Sequence, residues 1–185
     1  DSNNYAVDTV RPTVNTVVTD TSLLAGETSL VTITFSEAVT GFSNADLLIA
    51  NGTLTAVSSA DGGVTWTATF TPTASIADAT NVITVDNTGV LDSAGNAGVS
   101  TTDSNNYAIN TVRPTASILV ADTSLITGET SLVTITFSEA VTGFDNADLT
   151  IAGGTRSAER RAGKGSRIQC TSRRTPNHTK NKNVI

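Results

Sequence analysis

Apolar and polar residues alternate with a period of two through most of this chain, and no helical period interrupts them. In Thr28–Phe35, Val31, Ile33 and Phe35 fall on one face and Thr32 and Thr34 on the other. Val64–Phe70 repeats the pattern, with Val64, Trp66, Ala68 and Phe70 inward and Thr65, Thr67 and Thr69 outward. Five further stretches read as strands: Thr13–Thr19, Asp46–Ala50, Thr53–Ser58, Asn81–Val85 and Ser104–Asn110. Asp20–Gly26 and Asp61-Gly62-Gly63 read as turns, Ser36–Ala45 as a crossing loop, and Asn51-Gly52 as a hairpin turn. Pro72 to Thr80 reads as a longer connection and Asp86–Thr102 as a polar loop. Leu47 and Ile49 are assigned to the core and Leu48 to solvent, and Tyr107 and Ile109 share one face. Trp66, the single tryptophan, is expected between two sheets.

A long repeat sets the domain organisation. TSLVTITFSEAVTGF occurs at Thr28–Phe42 and again at Thr130–Phe144, an offset of 102 residues. The copy spans Asp1–Thr53 and Asp103–Thr155, with 41 identities in 53 pairs. A period of this size fits domains in series that each close their own core. Residues 1–10 read as the last strand of a preceding repeat plus a linker, and 11–110 as a complete repeat. Residues 111–155 begin a second repeat, and 156–185 form an aberrant basic tail. Thr9-Val10-Arg11-Pro12 recurs at Thr111–Pro114, a proline-stiffened linker that should restrict bending. The expected fold is all-β: an immunoglobulin-like, seven-strand Greek-key β-sandwich in tandem repeats.

The tail departs from the repeat. Alternation is lost at Arg156, yet Asn183-Val184-Ile185 match Asn81-Val82-Ile83 at the same offset of 102. The preferred reading is a stretch in a shifted frame between about Arg156 and Lys182. A cloning-derived tail and a functional arm are the alternatives. On this reading the second unit has only its first three strands and leaves its inner face open. Asp1 falls in mid-repeat, so a fragment is expected, and the lack of a signal peptide says nothing about export.

Charge divides the chain in the same way. The net charge of -6 hides sixteen acids against Arg11 and Arg113 up to Thr155, then nine basic residues against Glu159. An acidic array disfavours nucleic acid and anionic membrane and attracts divalent cations. No apolar run approaches a membrane span. Cys170 is alone, which excludes an internal disulfide. No catalytic motif is present: the Glu37 and Asp46 pair lacks apolar flanks, and the one histidine, His178, lies in the tail. The chain is read as no enzyme.

Counting strand directions gathers acids at the N-terminal pole of the complete repeat. Glu37, Asp46, Asp61, Asp86, Asp92, Asn96 and Asp103 are the candidate ligands, with Asp1, Asn3 and Asp8 close by in sequence. Hard oxygen donors of this kind suit calcium, and the alternative is a solvated acidic rim. Asp20, Glu27, Asn51 and Asp78 are assigned to the opposite pole.

Taken in order, VTITFSEAVTGFSNADL, NGTL, DGGVTWTATFTPTA, LDSAGNAG and NTVRPT resemble the bacterial immunoglobulin-like repeats of large surface adhesins and biofilm-associated proteins. The resemblance covers Asp1 to Thr155. It implies an extracellular, cell-surface or secreted protein whose repeats extend a distal tip towards host or cell-surface molecules. It also implies calcium near domain junctions and neighbouring repeats as partners. A glycan- or surface-binding module and a homotypic cell–cell aggregation module are the competing readings.

Overall fold

The computed structural model describes residues 6–158 and 165–172, with side chains as far as Thr155. The chain divides into two compact units, Asp1–Arg113 and Pro114–Ile185.

In the first unit one layer is built on β3 (Ser29–Phe35), which lies between β1 (Val14–Val18) and β8 (Thr65–Pro72). All pairings in this layer are antiparallel, and β6 (Gly52–Leu54) and β7 (Ser58–Ser59) both lie on β8. The second layer consists of two small sheets. β10 (Ile83–Asp86) lies between β5 (Leu47–Ile49) and β12 (Thr101–Asp103). β13 (Tyr107–Asn110) pairs antiparallel with β9 (Ala77–Asn81) and parallel with β2 (Ser22–Leu24). A short ribbon of β4 (Val39–Thr40) and β11 (Leu91–Asp92) completes the unit.

Burial follows the period-two pattern. β3 alternates buried and accessible residues, and Val31, Ile33 and Phe35 are enclosed. Ile83, Val85, Tyr107 and Ile109 from the second layer join them in one cluster. Phe70 meets Tyr107 edge-on at 5.2 Å, a direct contact between the layers. Each such side chain taken out of water contributes about 1.5–3 kcal/mol. Trp66 packs against the core at its edge, edge-on to Phe42, and its indole N–H donates to the Gly63 carbonyl. Leu48 is exposed while Leu47 and Ile49 pack inward, as their phase predicts.

Several boundaries differ from the sequence reading, each for a local reason. Asn51-Gly52 is not a hairpin turn: β5 pairs in the second layer and β6 in the first, so the dipeptide carries the chain across the sandwich. Asn51 takes φ 56° and its side-chain amide donates to Asp78 and Asn81, which fixes the crossing. Asp46 is not in a strand. It closes a 3-10 turn, Asn44–Asp46, and caps it reciprocally with Ser43. The turn Asp20–Gly26, the connection Pro72–Thr80 and the loop Asp86–Thr102 each contain strand residues, in β2, β9, and β11 with β12. Those strands are short and pair with distant segments, so local alternation does not reveal them.

The second unit contains more strands than its sequence suggests. β14 (Ala116–Val120) and β15 (Thr130–Phe137) repeat the β1–β3 pairing. Two further strands, β16 (Gly154–Ala158) and β17 (Gly165–Ser172), then pair with each other, and β17 covers the other edge of β15. The expectation of only three strands is corrected here. Strand pairing is a backbone property, and β15 presents an edge that any extended segment satisfies. The rest of the tail, including Cys170's side chain, His178 and Asn183–Ile185, lies outside the described residues.

Gly63 sits at φ 101° with its would-be Cβ driven into the Val39 carbonyl, whereas Gly26 at φ 89° has open space around it. Gly63→Ala should lower unfolding free energy by at least about 2 kcal/mol and Gly26→Ala by about 1 kcal/mol. Urea titration followed through Trp66 fluorescence measures both.

Candidate metal centre

The segment leading into β1 crosses the end of the first unit and is held by side chains from distant loops. Asn96 donates through its amide to the Asp8 carbonyl at 3.2 Å, Arg11 donates to the Ala97 carbonyl at 2.9 Å, and Asn87 donates to the Pro12 carbonyl at 2.8 Å. This fastening brings Asp8 beside Glu37 and Asp92. One carboxylate oxygen from each of the three lies within 4.8 Å of the others.

Asp92 is the buried member and is well ordered by its loop. Its carboxylate accepts from the Ala94 and Asn96 backbone amides at 2.9 and 2.7 Å and from the Asn96 side chain at 2.7 Å. Desolvation acts to raise its pKa, but these hydrogen bonds together outweigh it and hold the carboxyl below its usual value. Glu37 has the opposite bias. Partial desolvation, then the charges of Asp92 and Asp8, push it above its usual range. Three oxygens converge on one point where like charges repel, and the side chain that feels this most is Glu37. Such a donor set fits a hard divalent cation, which takes carboxylate, carbonyl and water oxygens.

The other sequence candidates are placed apart from this group, each with local work. Asp46 receives the Ser43 amide at 2.8 Å. Asp61 accepts from the Thr65 amide and Ser59 hydroxyl and organises the glycine turn, with its pKa lowered to about 2 by those bonds. Asp86 is bound by the Thr88 amide and hydroxyl. Asp103 accepts from the Thr84 hydroxyl at 2.6 Å across the β10–β12 ladder. Asn96 acts as the strut between Asp92 and Asp8. Arg11 and Asn87 were not singled out by sequence. Arg11 carried one signal: with Arg113 it is the only basic residue before Arg156.

The model of the family described as "Bacterial Ig-like domain" matches residues 8–109 and again 110–185. The chain belongs to that family, and its two units are tandem Ig-like domains, modules without catalytic machinery. No curated protein matches. Among solved structures, the chain is similar to FdeC, an Escherichia coli adhesin, at 14% identity and a TM-score of 0.39, covering 91% of this chain and 58% of that one. It is also similar to the Yersinia pseudotuberculosis adhesin InvE, at 16% identity and a TM-score of 0.41, covering 86% of this chain and 51% of that one. The chain therefore spans little more than half of either structure.

Two carboxylates give opposite pH signatures. Glu37 is raised above 4.5 in the folded state, so stability falls as pH rises through its folded pKa and stays reduced at neutral pH. Without divalent cation, Glu37→Gln should raise the thermal midpoint at pH 7, and the gain should vanish below the unfolded value of 4.5. Asp61 is lowered from 3.8 to about 2, so its contribution is full above 3.8 and lost as pH falls towards 2. Asp61→Asn should lower the midpoint at pH 7 and converge with the parent protein near pH 2. Thermal melts across pH measure both differences.

Proposed function

We propose that this chain is an extender segment of a bacterial adhesin, exported to the cell surface or secreted, in which Ig-like repeats in series hold a distal tip away from the cell. The family assignment to two successive Ig-like domains supports a module used by repetition. The pairings of the first unit also favour a seven-strand Greek-key reading. β1, β3, β8 and β6 make one layer, while β5, β10 with β9, and β13 with β12 make the other. The domain limits proposed from sequence follow from the same plan, and a shifted reading frame accounts for residues 156–182. The nucleotide sequence of that region tests the frame directly.

Calcium is the proposed ligand of Asp8, Glu37 and Asp92. The observation that carries this reading is the position of Asp8. It belongs to the segment that enters the unit, whereas Glu37 and Asp92 belong to loops of the unit itself. A cation held by all three cross-links entry segment to domain and removes their repulsion. The mechanical consequence is a stiffer connection between successive repeats, because the entering chain loses freedom to pivot about Arg11-Pro12. Ligand-linked stabilisation then follows mass action.

Calcium should raise the thermal midpoint of the 185-residue protein, and Asp92→Asn or Glu37→Gln should abolish the increase. Small-angle scattering of a two-repeat protein should show a narrower spread of end-to-end distances with calcium. Unchanged melting and scattering would sink the calcium assignment while leaving the extender role standing. Magnesium at equal concentration separates a calcium site from general screening of acidic charge.

A further inference from the structure

The first unit holds no cysteine, so no disulfide fastens the segment that enters it to the segment that leaves it. Those two segments instead run side by side in the same direction. At the entry Asn87 ties them together: its side-chain amide donates to the Pro12 carbonyl at 2.8 Å and its backbone amide to the Ser100 carbonyl at 3.1 Å. Further along, the Asn105 side chain accepts from the Val18 amide at 2.8 Å and donates to the Val18 carbonyl at 3.1 Å. The Ala108 amide then donates to the Thr21 carbonyl at 2.9 Å. The parallel ladder of β2 with β13 follows, from Ser22 opposite Ala108 to Leu24 opposite Asn110. Residues 12–24 and 100–110 therefore make one parallel seam, entered at its start and left at its end.

The direction of the seam decides how it answers a pull on the chain. Tension draws Pro12 one way and Thr111 the other, along the length of the seam. The two segments must then slide past each other, and the bonds between them are loaded together. A pull on both segments from one end would open the same bonds one after another. Sliding also has to lift Leu23, Tyr107 and Ile109 out of the core, where none is more than 2% exposed. β1 is held on its other edge by β3 over Val14–Val18, whereas β13 is the only strand paired with β2 among the described residues.

We propose that this seam is the element by which the repeat carries tension along the chain, with Asn105 as its side-chain clamp. The extender reading supplies only the source of the tension, and the clamp is a property of the unit itself.

Single-molecule pulling on the full chain in calcium-free buffer, with Cys170→Ser, tests this. Handles at Val10→Cys and Val112→Cys load the seam along its length, and handles at Leu24→Cys and Val112→Cys open it from one end. All three positions are exposed. Forced unfolding reports the barrier in the direction pulled, so the rupture force should be at least about twofold higher along the seam than from its end. Asn105→Ala should lower the force along the seam. Asn44 makes an equal fork away from the seam, accepting from the Val57 amide at 2.8 Å and donating to the Thr55 carbonyl at 2.9 Å. Asn44→Ala should lower the thermal midpoint yet leave the force along the seam unchanged. Equal forces in the two directions overturn the proposal and leave the extender role standing. An unchanged force in Asn105→Ala overturns it as well. So does a loss in Asn44→Ala that matches the loss in Asn105→Ala, since rupture would then follow overall stability.

Discussion

A sheet with one apolar face must be covered, and that requirement governs both units. In the first, β3 turns Val31, Ile33 and Phe35 inward, and the second layer closes over them with Ile83, Val85, Tyr107 and Ile109. Phe70 and Tyr107 meet edge-on between the layers as part of that packing. The loops at the ends of the sandwich inherit their places from this packing. Glu37 follows β3, and Asp92 sits in β11, which pairs with β4. The acidic group therefore depends on the core even though none of its members contributes apolar area to it.

The entering segment adds a second constraint. Three side-chain donors, Asn87 and Asn96 from the loops and Arg11 from the segment itself, bind backbone carbonyls rather than charges. The arrangement fixes the path of the chain without neutralising the carboxylates, so the repulsion around Glu37 persists. Arg11 could have paired with an acid but donates to the Ala97 carbonyl. The exit is fastened by the same kind of contact: the buried Thr111 hydroxyl donates to the Thr73 carbonyl at 2.6 Å and accepts from the Ile76 amide. Polar clamps at both ends set the direction of the linkers, and charge is left for a ligand to balance.

Much of the fold was legible in the sequence because a period of two assigns faces without knowledge of partners. The phases of Val31, Ile33, Phe35, Phe70, Tyr107 and Ile109 needed nothing beyond alternation. Layer membership was less legible. Asn51-Gly52 has the chemistry of a tight turn, but its neighbours pair with β10 and β8 in different layers, and only tertiary structure decides that. β2 was hidden for a related reason: its partner β13 is more than eighty residues away. At the candidate site, strand direction gathers acids at one pole but cannot show which are already committed. Asp61, Asp86 and Asp103 have hydroxyl and amide donors within their own turns and ladders, a matter of side-chain geometry that spacing does not encode.

The pair of units also separates local from long-range causes of strand formation. Thr28–Phe42 and Thr130–Phe144 are identical, and both form the central strand, because β1 or β14 and a third strand flank each of them. The register of the third strand differs. Ser29 lies opposite Phe70, so the offset of 102 would set Ser172 opposite Ser131, but Cys170, two places earlier, stands there instead. A backbone ladder tolerates that slip, whereas a core built on Trp66, Ala68 and Phe70 specifies one alignment through its side chains. The segments copied by Ser22–Leu24 and Ser124–Ile126 show the complementary case: identical bracing hydrogen bonds, but a strand only where β13 is present. Local sequence prepares the edge, and a distant strand converts it into sheet.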